Sequence, residues 1–154
     1  MLSVTKIFRF EMAHALYGYA GKCKNIHGHS YVLHVTVQGS GTPDGYLPAP
    51  GLIFDFKDLK KIVDDLILQK LDHQLVLSET YLKANPAFKA SENLVEWTME
   101  PSVENILLFI RGQLQLHFPK EIQLLKLKLF ETADSYAEWV IACNKQQGLK
   151  MLHL

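Results

Sequence analysis

The sequence predicts an α+β domain: a four-stranded antiparallel sheet with two helices on one face, in the order ββααββ. Three observations predict it. Two alternating apolar stretches open the chain and two more close it. Between them lie two segments with apolar residues at three- and four-residue steps. Amphipathic strands and helices bury their apolar sides against each other, so one sheet carrying both helices on one face satisfies the layer rule. At 154 residues the chain is long enough for one domain, spanning residues 1–154, with a full hydrophobic core.

The first strand covers residues 4–15. Val4, Phe8, Phe10, Met12 and His14 share one parity and Thr5, Arg9 and Glu11 the other, which puts His14 at the end of the more apolar side. Residues 17–25 contain Gly18 and Gly21 with Lys22 and Lys24, and read as a loop. In the second strand, about residues 30–39, Tyr31, Leu33, Val35 and Val37 alternate with Val32, His34, Thr36 and Gln38. A proline- and glycine-rich loop follows over residues 40–51. Asp55 is the expected N-cap of the first helix, whose apolar face is Leu59, Ile62, Val63, Leu66, Ile67 and Leu71. That helix ends near Asp72-His73, an acid and a base side by side.

Residues 78–101 are broken by Pro86 and read as an irregular excursion, with a short helix over 91–97. Ser102 caps the second helix, with Glu104 in its first turn. Its core face is Ile106, Leu107, Ile110, Leu114 and Phe118, and Pro119 closes it. In the third strand, residues 122–131, Leu125, Leu127, Leu129 and Glu131 oppose Lys126 and Lys128. A carboxylate continuing an apolar face is costly without a partner, so Glu131 is either turned into solvent or aimed at something. The fourth strand covers residues 136–143, with Cys143 in the core. Outer strands left unpaired are usually covered or joined to another chain, and a ring of copies whose sheets join into a barrel would do this.

Composition narrows the function classes. The chain is 48% apolar and 21% charged, with 16 basic and 16 acidic residues. No global field draws it to nucleic acid or an anionic membrane, although a small anionic substrate needs only a local basic patch. The two cysteines, Cys23 and Cys143, are too few for a disulfide framework. The first residues do not form a signal peptide and no apolar run approaches a membrane span, so a cytoplasmic protein is expected.

The densest chemistry lies in Cys23-Lys24-Asn25-Ile26-His27-Gly28-His29. In an extended chain His27 and His29 project to the same side. Imidazole suits zinc, and a catalytic zinc takes three protein ligands and leaves one position open. Antiparallel pairing of the first two strands would bring His14 to both as the third. Cys23 is then a nucleophile, a base or a further ligand.

Taken in order, six motifs resemble the family of 6-pyruvoyl- and 6-carboxy-tetrahydropterin synthases over nearly the whole chain. They are Phe10-x-x-x-His14, Cys23-x-x-x-His27-Gly28-His29-Ser30, Ile53-Phe54-Asp55-Phe56, Leu71-Asp72-His73, Pro101-Ser102-x-Glu104-Asn105 and Glu131-Thr132. The resemblance implies the tunnelling fold (T-fold), a homohexamer and active sites at subunit interfaces. It also implies zinc on His14, His27 and His29, Cys23 as general base with Asp72 and His73 as its relay, and Glu131 as anchor of the pterin ring.

The implied substrate is 7,8-dihydroneopterin triphosphate. The three-residue gap between Cys23 and His27, with Ile53-Phe54-Asp55-Phe56, looks more like the carboxy branch. That branch forms 6-carboxy-5,6,7,8-tetrahydropterin with release of acetaldehyde and triphosphate, in the route to queuosine. The pyruvoyl branch, which eliminates triphosphate from the same substrate, is the alternative, and a zinc-binding oligomer without turnover is the other. Three features depart from the family pattern: a longer 78–101 segment, Ser102 where threonine is commoner, and Ser91-Glu92-Asn93, which partly repeats the later motif.

Overall fold

Strands β1 (Ser3–His14) and β2 (His27–Gly39) pair antiparallel along their length in this computed structural model, which describes residues 2–39 and 45–142. The register sets His14 opposite His27 and Met12 opposite His29. Phe8, Phe10 and Met12 on β1 and Tyr31, Leu33, Val35 and Val37 on β2 all point into one core, as the alternation predicts. β2 extends three residues earlier than expected, so His27 and His29 belong to the pleat itself.

Strand β5 (Ile122–Phe130) pairs antiparallel with β2, and β6 (Tyr136–Val140) with β5. These four strands are the predicted antiparallel unit. The register slips between Thr36 and Val37, where Lys126 and Leu124 are the successive partners and Leu125 is left over. This bulge shifts the core parity, so Leu124 joins Leu127 and Leu129 in the core and Leu125 does not. The predicted position of Cys143 lies outside the described residues.

Helix α1 (Phe56–Val63) begins at Asp55, whose carboxylate accepts from the Lys57 N–H at 2.7 Å, a cap that contributes about 1 kcal/mol. It runs on through a π-helical turn, Asp64–Leu68, into the last turn α2 (Gln69–Leu71). Leu59, Val63, Ile67 and Leu71 are fully buried on the sheet. Beside them α4 (Val103–Leu114), capped by Ser102, buries Ile106, Leu107, Ile110 and Leu114. It ends before Phe118, which still packs on the core against Phe54.

The sheet is larger than the sequence predicts. Its order is β4-β3-β1-β2-β5-β6, with β3 (Gln74–Ser78) and β4 (Leu94–Trp97) added in parallel pairing beyond β1. The expected short helix over 91–97 is therefore a strand. The excursion between them holds a helix, α3 (Glu79–Ala84), and a 3₁₀ turn over Pro86–Ala90. Val76 faces the main core, while Leu75 and Leu77 face the other way and meet Tyr81, Leu82 and Ala15 in a second, smaller core. Thus α3 covers the side of the sheet opposite α1 and α4. Among the described residues no helix is long and apolar enough to cross a membrane.

Candidate metal centre

His14, His27 and His29 converge because they lie at facing ends of β1 and β2 on the core side. Their ligand-capable nitrogens all lie within 4.8 Å of one another. His14 is 1% exposed, and its Nδ1–H donates to the Pro101 carbonyl at 2.6 Å. His27 Nδ1–H donates likewise to the Asn25 carbonyl at 2.8 Å. Both rings are thus held in the tautomer that leaves Nε2 bare toward the cluster. His27 Nε2 and His29 Nε2 are buried with no hydrogen-bond partner.

These nitrogens bear on whether the histidines could hold a metal ion. A buried acceptor left unpaired costs about 1–3 kcal/mol. Here two such atoms face each other with a third imidazole nitrogen beside them. The nitrogen set, the carbonyl-fixed tautomers and the convergence fit a divalent ion that favours imidazole, zinc among them.

Burial favours the neutral form of His14 and of His29. It lowers the His14 pKa, with the neighbouring His27 and His29 adding to the effect and the Pro101 and Glu131 contacts opposing it. Burial also lowers that of His29 against the pull of Glu131. Both start from an ordinary value of 6.5, so the unfolded chain takes up protons first as pH falls. Their contribution to stability is present above that value and is lost as pH falls through the lower folded values. Chelator-treated protein is therefore expected to melt at lower temperature when moved from about pH 7.5 to about pH 5.5, and a flat melting temperature would contradict neutral burial.

Glu131 follows β5 and turns inward, the second of the two expectations. Its Oε1 lies 3.5 Å from His14 Nε2, 3.6 Å from His29 Nε2 and 3.4 Å from the Tyr31 hydroxyl. The alternation of β2 gives Tyr31 only as core, yet its hydroxyl also lies 3.4 Å from His14 Nε2. Burial, then Glu131 and then Cys23 push the Tyr31 hydroxyl well above its ordinary pKa, so it stays a donor. A signal was available: Tyr31 shares its parity with His27 and His29, and a buried tyrosine hydroxyl needs a partner.

Cys23 is half-buried in a 3₁₀ turn, Lys22–Lys24. Its carbonyl accepts from the Leu16 N–H at 2.9 Å, which ties the turn to the chain just beyond His14.

Asp72 and His73 form their pair, with Asp72 Oδ1 2.9 Å from His73 Nδ1. The same carboxylate oxygen accepts from the Glu11 N–H at 2.9 Å, and the His73 N–H donates to the Glu11 carbonyl at 2.6 Å. These bonds hold His73 at φ 60°, a left-handed conformation costing roughly 1–2 kcal/mol in a non-glycine residue. The His73 side chain is 77% exposed and borders a cavity of about 320 Å³ with Glu11, Ser30 and Asn93. Met12 and His29 line the same cavity. Among the described contacts none joins Asp72 or His73 to Cys23.

Comparison with known proteins adds four findings. The family model described as 6-pyruvoyl tetrahydropterin synthase matches residues 3–140. A Haemophilus influenzae protein named 6-carboxy-5,6,7,8-tetrahydropterin synthase is 32% identical, over 90% of this chain and 99% of its own. A Pongo abelii protein named 6-pyruvoyl tetrahydrobiopterin synthase is also 32% identical, over 86% of each. Among solved structures, the 6-pyruvoyl tetrahydropterin synthase of Caenorhabditis elegans superposes with TM-score 0.62 at 22% identity, covering 92% of this chain and 96% of that one. The architecture they share is the tunnelling fold.

Proposed function

Since the chain belongs to the 6-pyruvoyl tetrahydropterin synthase family, we propose that it is a zinc-dependent lyase. On this reading it converts 7,8-dihydroneopterin triphosphate and one water to 6-carboxy-5,6,7,8-tetrahydropterin, releasing acetaldehyde and triphosphate. The observation that carries the reading is the convergence of three imidazole nitrogens, two of them buried without hydrogen-bond partners, beside an inward carboxylate.

His14, His27 and His29 would hold the zinc, whose chemistry is Lewis-acid polarisation of a substrate oxygen. Cys23 acts as the base on the carbon-bound proton of the pterin side chain, in its thiolate form. Glu131 receives the paired N–H donors of the amino-pyrimidine edge, a two-point contact that fixes the ring. Tyr31 steadies that carboxylate from below.

Asp72 orients the His73 ring, and the pair passes the proton on. Among the described contacts none joins this pair to Cys23 of its own chain, and on this reading the pair that serves Cys23 comes from a neighbouring copy, as the family resemblance implies. The active site is thus shared between subunits of a homo-oligomer, a hexamer by family resemblance.

The short gap between Cys23 and His27 favours the carboxy branch, as does the name of the Haemophilus relative. An equally identical Pongo relative with the other name keeps the pyruvoyl product as the second reading. Incubating zinc-loaded protein with dihydroneopterin triphosphate separates them. Acetaldehyde with a carboxypterin is the expected result, and a pyruvoyl product would favour the second reading. No triphosphate release from fully metallated protein would leave a zinc-binding oligomer without turnover.

A further inference from the structure

The motif Pro101-Ser102-x-Glu104-Asn105 has no part in the scheme above beyond capping α4. Its geometry gives it one. His14 is the last residue of β1, so the strand ladder fixes its backbone but not the rotation of its ring. The ring is oriented by the Pro101 carbonyl, 2.6 Å from Nδ1. A loop carbonyl is only as well placed as the loop that carries it, and this loop is held at two points.

The first is Asn105. Its side-chain amide donates to the Glu100 carbonyl at 2.9 Å, an acceptor it shares with the Ser102 N–H at 2.9 Å. The second is the Glu100 carboxylate, which accepts from the Tyr17 N–H at 2.8 Å. Tyr17 lies three residues beyond His14, so the bonds close a ring: His14 to Pro101, Glu100 to Tyr17, and back along the chain. Helix capping does not explain either contact. The cap of α4 is the Ser102 hydroxyl on the Asn105 N–H, a backbone bond that survives loss of the Asn105 side chain.

We propose that Glu100 and Asn105 are positioning residues for the metal: through Pro101 they fix the tautomer and orientation of His14, aiming Nε2 at the nitrogens of His27 and His29. This rests on the metal reading made above. A neutral imidazole has a single acceptor nitrogen. A ring free to turn, or to move its proton to Nε2, withdraws one ligand of three. Partners of this outer kind typically control about 10–100-fold in metal affinity.

The test is zinc affinity, measured by chelator competition on metal-free protein without substrate, together with the absorption spectrum of the cobalt-loaded form. Asn105→Ala and Glu100→Ala are each expected to weaken zinc binding about 10-fold and to alter the cobalt spectrum. Glu100→Gln keeps an oxygen for the Tyr17 N–H and is expected to bind as the parent does. The double alanine variant should lose less than the product of the single losses, because both residues act on one segment. If Asn105→Ala does not fold, the two Glu100 variants decide the matter.

Alanine variants that bind zinc as the parent does, with an unchanged cobalt spectrum, overturn the proposal even if their melting temperatures fall. A parent protein that takes up no zinc overturns the metal reading itself, and the two failures are thereby distinguishable.

Discussion

His27→Ala is expected to weaken zinc binding by more than about 100-fold while the sheet stays folded. The ring's Nε2 is buried without a partner, and its Nδ1 is spent on the Asn25 carbonyl. Removing it takes one donor of three. Apparent zinc affinities of structural sites, about 10–16 kcal/mol, spread over three or four ligands give roughly 3 kcal/mol each, or more than about 100-fold in affinity. The fold bears the change easily. The alanine also deletes an unpaired buried nitrogen, and with it a penalty of about 1–3 kcal/mol that offsets the lost packing. Metal-free parent and variant should therefore melt at similar temperatures, and zinc should raise only the parent's. Zinc affinity by chelator competition checks it; a variant that binds zinc as tightly as the parent would refute the three-imidazole site.

Cys23→Ala is expected to show the opposite pattern, with metal kept and turnover lost. A positioned base contributes about 10²–10⁴-fold, so steady-state release of triphosphate should fall by that factor. The Cys23 side chain lies outside the group of three nitrogens that can share an ion. Its loop is tied by backbone bonds from Leu16, Lys24 and Asn25, none of which involves the thiol. Loss of metal from this variant would make Cys23 a fourth ligand. Undiminished turnover would remove it from the chemistry altogether. Set beside His27→Ala, the pair separates holding the ion from moving the proton.

Much of this centre was legible because a strand's two-residue period is a hard constraint. Once β1 and β2 pair antiparallel, the shared parity of Phe8 through His14 and of His27 through Val37 leaves the three imidazoles on one side. What escaped had no such period. β3 is a short strand buried on both faces, so Leu75, Val76 and Leu77 form a continuous apolar run without alternation. β4 has only four residues, preceded by a serine and an asparagine that imitate a helix start. Leu125 was placed on the core face because a bulge leaves no mark in the periodicity. The Pro101 carbonyl, which orients His14, belongs to the backbone and has no letter in the sequence.

His14 closes β1 and His27 opens β2, so an ion between them ties together the two ends of the segment that bears Cys23. Such a tie works as a staple, restricting the slack of residues 15–26 much as a covalent cross-link would. The turn that carries Cys23 would then be held by a cross-link at its two ends as well as by the backbone bonds from Leu16, Lys24 and Asn25.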